Sequence, residues 1–254
     1  MEAVSKLVSK HQVLSRDIDF TKKIKLSSVF NCFQDIAWMH ADNLGIGFNK
    51  IAADHNVAWV LTRMKVDIER LPVWNEEVVF ETWPQLPKKY QFERDFLVKD
   101  MDGNVIMRAV SVWVIIDIDT RELKKTEVID TEYPEMLTER ALEPSFDRLK
   151  PFGEPEIVYK KMVGCSDIDV NEHLNNCRYI DFIMDCFSME GLKKYFPKHI
   201  QINYISESLP GDTIVLYRDV DPSNPMKIYI EGIDEKDGKT VFKSLLNIAE
   251  NPAN

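Results

Sequence analysis

Long apolar runs are missing from this 254-residue chain, and no stretch approaches the ~20 residues needed to cross a bilayer. The N-terminus, MEAVSKLVSKHQ, lacks the apolar core of a signal peptide, so the cytoplasm is the expected location. A basic excess is missing too. The chain carries 32 Lys and Arg against 42 Asp and Glu, a formal net charge of −10. That balance argues against a general nucleic-acid binder, and no helix-turn-helix or basic segment appears. Cysteine is scarce. Cys32, Cys165, Cys177 and Cys186 form no CxxC pair and no zinc-type spacing. Reduced core thiols are therefore expected.

What is present is globular: 44% apolar residues, enough for a core, and 29% charged. LSSVFNCFQDIAWMHADNLG, 26 to 45, has helical spacing, with apolar residues over most of its circumference and a narrow polar stripe. Gly45 and Gly47 supply its stop signal. VLTRMKVDIE, 60 to 69, alternates apolar and polar residues and predicts a half-buried strand. Residues 78–83, 92–100 and 105–117 continue that pattern, with the turn MDGN joining the last two. Residues 128–155 carry Pro134, Pro144, Pro151 and Pro155 and read as a linker between two domains, 1–127 and 156–254.

After that linker the first unit recurs. DID stands at 17–19 and at 167–169, an offset of 150, which also carries Asp35 onto Asp185. ERLP, 69 to 72, corresponds to ESLP, 207 to 210, and the turn in KDMDGNVIMR corresponds to EKDGKTVFK. The second unit then predicts a helix over 172–190 and strands near 199–207, 213–220, 226–234 and 240–249.

One segment differs between the halves. DIDVNEHLNN, 167 to 176, places Asp169, Asn171 and His173 where the first half has Asp19, Thr21 and Lys23. Helix capping would use Asn171 as N-cap and the acids near the positive helix end, but it leaves His173 without a purpose. A calcium loop fails at Glu172, where glycine is needed, and at Arg178, where a glutamate is needed. A zinc site lacks a second His or Cys at ligand spacing. A catalytic reading uses every residue: carboxylates at Asp169 and Glu207 to direct water or attack an acyl carbon, His173 to relay a proton, Asn171 to fix a carbonyl, and free N–H groups at a helix start to polarise an oxygen.

DIDVNEHLNNCRYIDFIMD and NYISESLPGD resemble the two active-site segments of the acyl-acyl carrier protein thioesterases. FNCFQDIAWMHADNLG, WVLTRMKVDIERLPVW and RDFLVKDMDGNVIMRAVSVWVIID extend the resemblance over nearly the whole chain. It implies an α+β fold of two tandem hotdog domains, each an antiparallel sheet around a long helix, with the first domain on the acyl-pocket side and the second catalytic. It implies hydrolysis of acyl-acyl carrier protein to free fatty acid, ending fatty acid synthesis, with no metal and no cofactor. The family's catalytic residues fall on Asp169, Asn171, His173 and Glu207. A cysteine beside that glutamate in plant members falls on Ser208, which argues against an obligatory thiol nucleophile here.

The expected partners are an acyl chain and an acidic carrier protein. For the chain, Phe30, Phe33, Ile36, Trp59, Met64 and Ile68 are candidate tunnel walls, although such residues are usually core. For the carrier, a local basic patch is needed: Lys22/Lys23, Lys88/Lys89, Lys160/Lys161 or Lys193/Lys194/Lys198. The chain is either a monomer of two hotdogs or a homodimer. The alternatives are an acyl-coenzyme A thioesterase, a hydratase or dehydratase of the same fold, and a non-catalytic acyl-binding protein.

Overall fold

The structure, a computed structural model, describes residues 2–131 and 133–251. In chain order the elements are β1 (Leu7–Gln12), α1 (Leu26–Asn43), α2 (Phe48–His55), β2 (Val57–Ile68), β3 (Glu77–Pro84), β4 (Phe92–Asp100), β5 (Val105–Asp117) and β6 (Leu123–Lys124). Then follow β7 (Glu156–Met162), α3 (Asn176–Met184), α4 (Met189–Lys194), β8 (Tyr195–Tyr204), β9 (Thr213–Val220), β10 (Lys227–Asp234) and β11 (Thr240–Glu250). All the strands join one antiparallel sheet in the order β1-β3-β4-β5-β2-β8-β11-β10-β9-β7, with β6 on β5. The order reads as one five-strand pattern followed by its mirror image. The two patterns meet where β2 pairs with β8, from Arg63 opposite Asn203 to Asp67 opposite His199.

Alternation along each strand gives the sheet two faces. Met64, Val66 and Ile68 turn toward α1 and α3 and join a core that draws on both halves. Phe33 of α1 sits at its first-half centre, 4.9 Å from the Phe96 ring and 5.6 Å from that of Phe80. Tyr179 and Phe182 of α3 do the same against the second half, with the Tyr179 ring 5.5 Å from that of Phe242.

Residues 129–131 and 133–155 hold no regular structure and lie as a strap over the opposite face. Trp83 and Gln85 donate side-chain hydrogen bonds to the Glu139 carbonyl, at 3.0 and 2.8 Å. Lys65, facing away from the helices and buried, donates to the carbonyls of Glu143 and Ser145 at 2.7 and 2.8 Å. Gln201, opposite Lys65 across the seam, exchanges hydrogen bonds with the backbone of Asp147. Leu149 packs on Tyr229 and Leu245, and Asp219 accepts from the amides of Phe152 and Gly153.

The offset of 150 is visible in the backbone. Short 3₁₀ turns at Ser15–Asp17 and Cys165–Asp167 precede matching bridges, Ile18 with Ile24 and Ile168 with Leu174. Lys22 and Glu172 both adopt the left-handed region, φ 61° and 63°. The helices after them differ in length: α1 has 18 residues and α3 has 9. The helix expected over 172–190 is therefore corrected. It starts at Asn176, because the left-handed residue Glu172 ends a turn before it, and α4 begins separately with Ser188 as its N-cap. The N-cap of α3 is Asn175, whose side chain accepts from the Cys177 amide at 2.8 Å, and not Asn171.

Candidate functional site

The sequence from Asp167 to Asn175 folds into a tight turn held by its own polar groups. The Asp169 amide donates to the His173 carbonyl at 2.9 Å, and the Glu172 amide to the Asp169 carbonyl at 3.1 Å. One carboxylate oxygen of Asp169 accepts from the Asn171 amide at 2.8 Å, the usual Asx arrangement. Its other oxygen has no partner among the described residues. The first half builds the same turn, with Asp19 accepting from the Thr21 amide at 2.7 Å. The scaffold is thus common to both halves, and only the second presents Asn171 and His173.

Glu207 arrives from the loop between β8 and β9. The Leu174 amide donates to the Ser208 carbonyl at 2.9 Å and ties that loop to the turn. His173 Nε2 then lies 3.2 Å from Glu207 Oε2. Ser208 is fully buried, and its side-chain hydroxyl accepts from the Tyr179 hydroxyl at 3.4 Å. Burial pushes the Tyr179 phenol up to about 12, so it stays protonated. A residue missed by sequence reasoning completes the group. Arg121, in the loop after β5, reaches both carboxylate oxygens of Glu207 through Nη2. No local spacing could reveal it, because 86 positions separate the two.

Asp169, Asn171, His173, Glu207 and Arg121 line one cleft of about 640 Å³. A second pocket, about 250 Å³, opens beside it between α1 and the first half-sheet. Its apolar wall is Ala37, Trp38 and Ala41 of α1 with Trp59, Phe92 and Trp113. Phe48, Trp59, Asp169, Val170, Asn171 and Asn176 border both spaces. Asp169 and Asn171 therefore stand at the junction of an open cleft and an apolar recess, with His173, Glu207 and Arg121 on the cleft side.

The expected tunnel walls are corrected in part. Trp59 lines both spaces. Phe30, Phe33 and Met64 touch only a void of about 10 Å³, and Ile36 and Ile68 are core. The recess lies around the side of α1 where alanines leave room. One wall is polar. Buried Arg94 donates to His40 Nδ1 at 3.0 Å, and His40 Nε2 donates to the Val4 carbonyl at 2.8 Å. Burial, then the adjacent guanidinium, pulls the His40 imidazole down to about 4.

Most lysines of the candidate patches already face acids. Lys88 meets Glu93, Lys160 Glu235, Lys161 Asp185, Lys193 Glu190, Lys194 Glu250 and Lys198 Glu69. Lys23 donates to Asn251. Among the described residues no group of three or more His, Cys, Asp or Glu side chains is placed to hold a metal ion. No helix among them is long and apolar enough to cross a membrane.

Comparison with known proteins adds two family matches: the acyl-ACP thioesterase N-terminal domain over residues 5–133 and the C-terminal domain over residues 156–248. Oleoyl-acyl carrier protein thioesterase 2 of Arabidopsis thaliana is 27% identical over 220 residues, 80% of this chain and 59% of the relative. The palmitoyl-acyl carrier protein thioesterase of the same plant is 30% identical over 77% of this chain and 50% of its own length. This chain thus spans between half and three-fifths of those curated relatives. An acyl-ACP thioesterase from Bacteroides thetaiotaomicron shares the fold with a TM-score of 0.84 at 24% identity, covering 96% of this chain and 98% of that one. The 12:0-ACP thioesterase of Umbellularia californica does so with a TM-score of 0.86 at 20% identity, covering 98% of each. With one matched model alone covering half of its length and the second most of the remainder, this chain belongs to the acyl-ACP thioesterase family.

Proposed function

We propose that the protein hydrolyses the thioester of acyl chains borne on acyl carrier protein, releasing free fatty acid and the carrier's thiol. The observation that carries this reading is that Asp169 and Asn171 border both an open cleft and an apolar recess, with His173 and Glu207 beside them on the cleft side. The recess takes the acyl tail and the cleft takes the carrier's arm. The thioester carbonyl then lies at the junction. Asn171 donates to its oxygen and stabilises the charge that builds there. Asp169 has one oxygen without a partner among the described residues and is the carboxylate that acts, on a water or on the carbonyl carbon directly. Glu207 is already engaged by His173 and Arg121, which suits it to orienting the imidazole. The sulfur leaves as the carbon–sulfur bond breaks and takes up a proton, and water supplies the new oxygen of the acid.

The mirrored sheet halves support two tandem hotdog domains, 1–127 and 156–254, with 128–155 between them. Site groups from both halves lie in one chain, so a single copy can act alone. Charge near the cleft mouth is the favoured contact for an acidic carrier. The expected test is release of fatty acid from acyl carrier protein thioesters of several chain lengths. Asp169→Asn, Asn171→Ala, His173→Ala and Glu207→Gln should each lower kcat by roughly a hundredfold or more with the fold intact. Wild-type rates in all four would end the assignment. One turnover in water labelled with heavy oxygen separates the two routes: label in Asp169 itself supports direct attack.

A further inference from the structure

Resting on that functional reading, we propose that Arg121 is a positioning residue of the reaction, holding Glu207 so that Glu207 can hold His173. An exposed ion pair ordinarily contributes little. Three observations set this one apart. Arg121 meets both oxygens of the same carboxylate, and the oxygen facing His173 Nε2 is one of them. Its loop is built rather than loose: the Arg121 amide donates to the Asp117 carbonyl at 3.0 Å, and the Asp117 carboxylate accepts from the amides of Asp119 and Thr120 at 3.1 and 2.9 Å. The loop is also pinned to the end of α2, where the Ile118 amide donates to the Asn56 carbonyl at 3.0 Å and the Asn56 side chain to Asp119 at 2.8 Å. The guanidinium therefore leaves a fixed base in the first half and grips a carboxylate of the second.

The titratable and charged groups lining the cleft are Arg121, Asp169, Glu172, His173, Tyr179, Tyr204 and Glu207. Arg121 is the one permanent cation in that set, so no other residue of the cleft wall can take over its two-oxygen hold on Glu207.

The test uses acyl-N-acetylcysteamine thioesters, which have no carrier protein to dock. Arg121→Gln should lower kcat roughly ten- to hundredfold through misplaced groups. KM for these carrier-free substrates should change little, because Arg121 acts through Glu207 and not on the substrate. Arg121→Lys, which keeps the charge and a donor, should recover part of the lost kcat. In a Glu207→Gln background, Arg121→Gln should change little, because the residue it acts through is gone. An unchanged kcat in Arg121→Gln overturns the proposal, and so does an equal loss in the Glu207→Gln background. A loss confined to KM for the carrier-protein substrate overturns it too, by making Arg121 a docking residue. If the wild type hydrolyses no thioester at all, the functional reading falls and takes this proposal with it. Wild-type hydrolysis with an indifferent Arg121 sinks the proposal alone.

Discussion

His40 lies fully buried on α1, with Nδ1 accepting from Arg94 and Nε2 donating to the Val4 carbonyl. That arrangement requires a neutral ring, since an added proton would face the Arg94 guanidinium at 3.0 Å. In the unfolded chain His40 titrates at the ordinary value of about 6.5, whereas in the fold it is held down to about 4. Between those two values the unfolded chain binds the proton and the folded chain does not. Stability is therefore full above pH ~6.5, falls as the pH drops toward ~4 and levels off below that. The difference in titration corresponds to at most about 3 kcal/mol, a large part of the 5–15 kcal/mol typical of a folded domain. Urea denaturation at pH 7 and at pH 4.5 measures it. His40→Gln keeps a donor and an acceptor but cannot take up the proton. The carboxylates that titrate in the same range are present in both proteins and cancel in the difference. The wild type should lose about 2–3 kcal/mol more than His40→Gln between the two pH values. A difference that stays constant across that range would refute the reasoning.

Two further outcomes follow from the packing. Ala41→Phe puts a ring into the recess of about 250 Å³. It should shift preference toward shorter acyl chains, read from relative kcat/KM across a chain-length series, while rates on the shortest substrates persist. Lys65→Met removes two charge-assisted hydrogen bonds to the strap and should cost about 2 kcal/mol in urea unfolding, with little change in kcat.

Alternation made the sheet legible. The strand expected over 92–100 is Phe92–Asp100, and the one over 105–117 is Val105–Asp117, because each residue there is sorted to one face or the other. Helix limits were harder. CRYIDFIMDCF is apolar enough to suggest a long helix, but Asp185 to Ser188 break it, and the polar run before it closes its own turn through Asp169. Gly47 was read as a stop, and it instead leads into the short α2. At the site, the spacing of Asp169, Asn171 and His173 was visible because one turn presents them. Glu207 needed the match between ESLP and ERLP. Arg121 and the alanine side of α1 were out of reach, since a contact between distant loops and an empty space leave no periodic mark.

Five facing residue pairs run along the β2–β8 junction, in one uninterrupted ladder from one half of the sheet to the other. A hinge has nowhere to sit in such a join, and the segment that links the two halves is itself pegged across the back of the seam. The molecule cannot gape like a pair of jaws. On the proposed function, a greasy tail has to reach the recess past Phe48 and Trp59, which border both spaces.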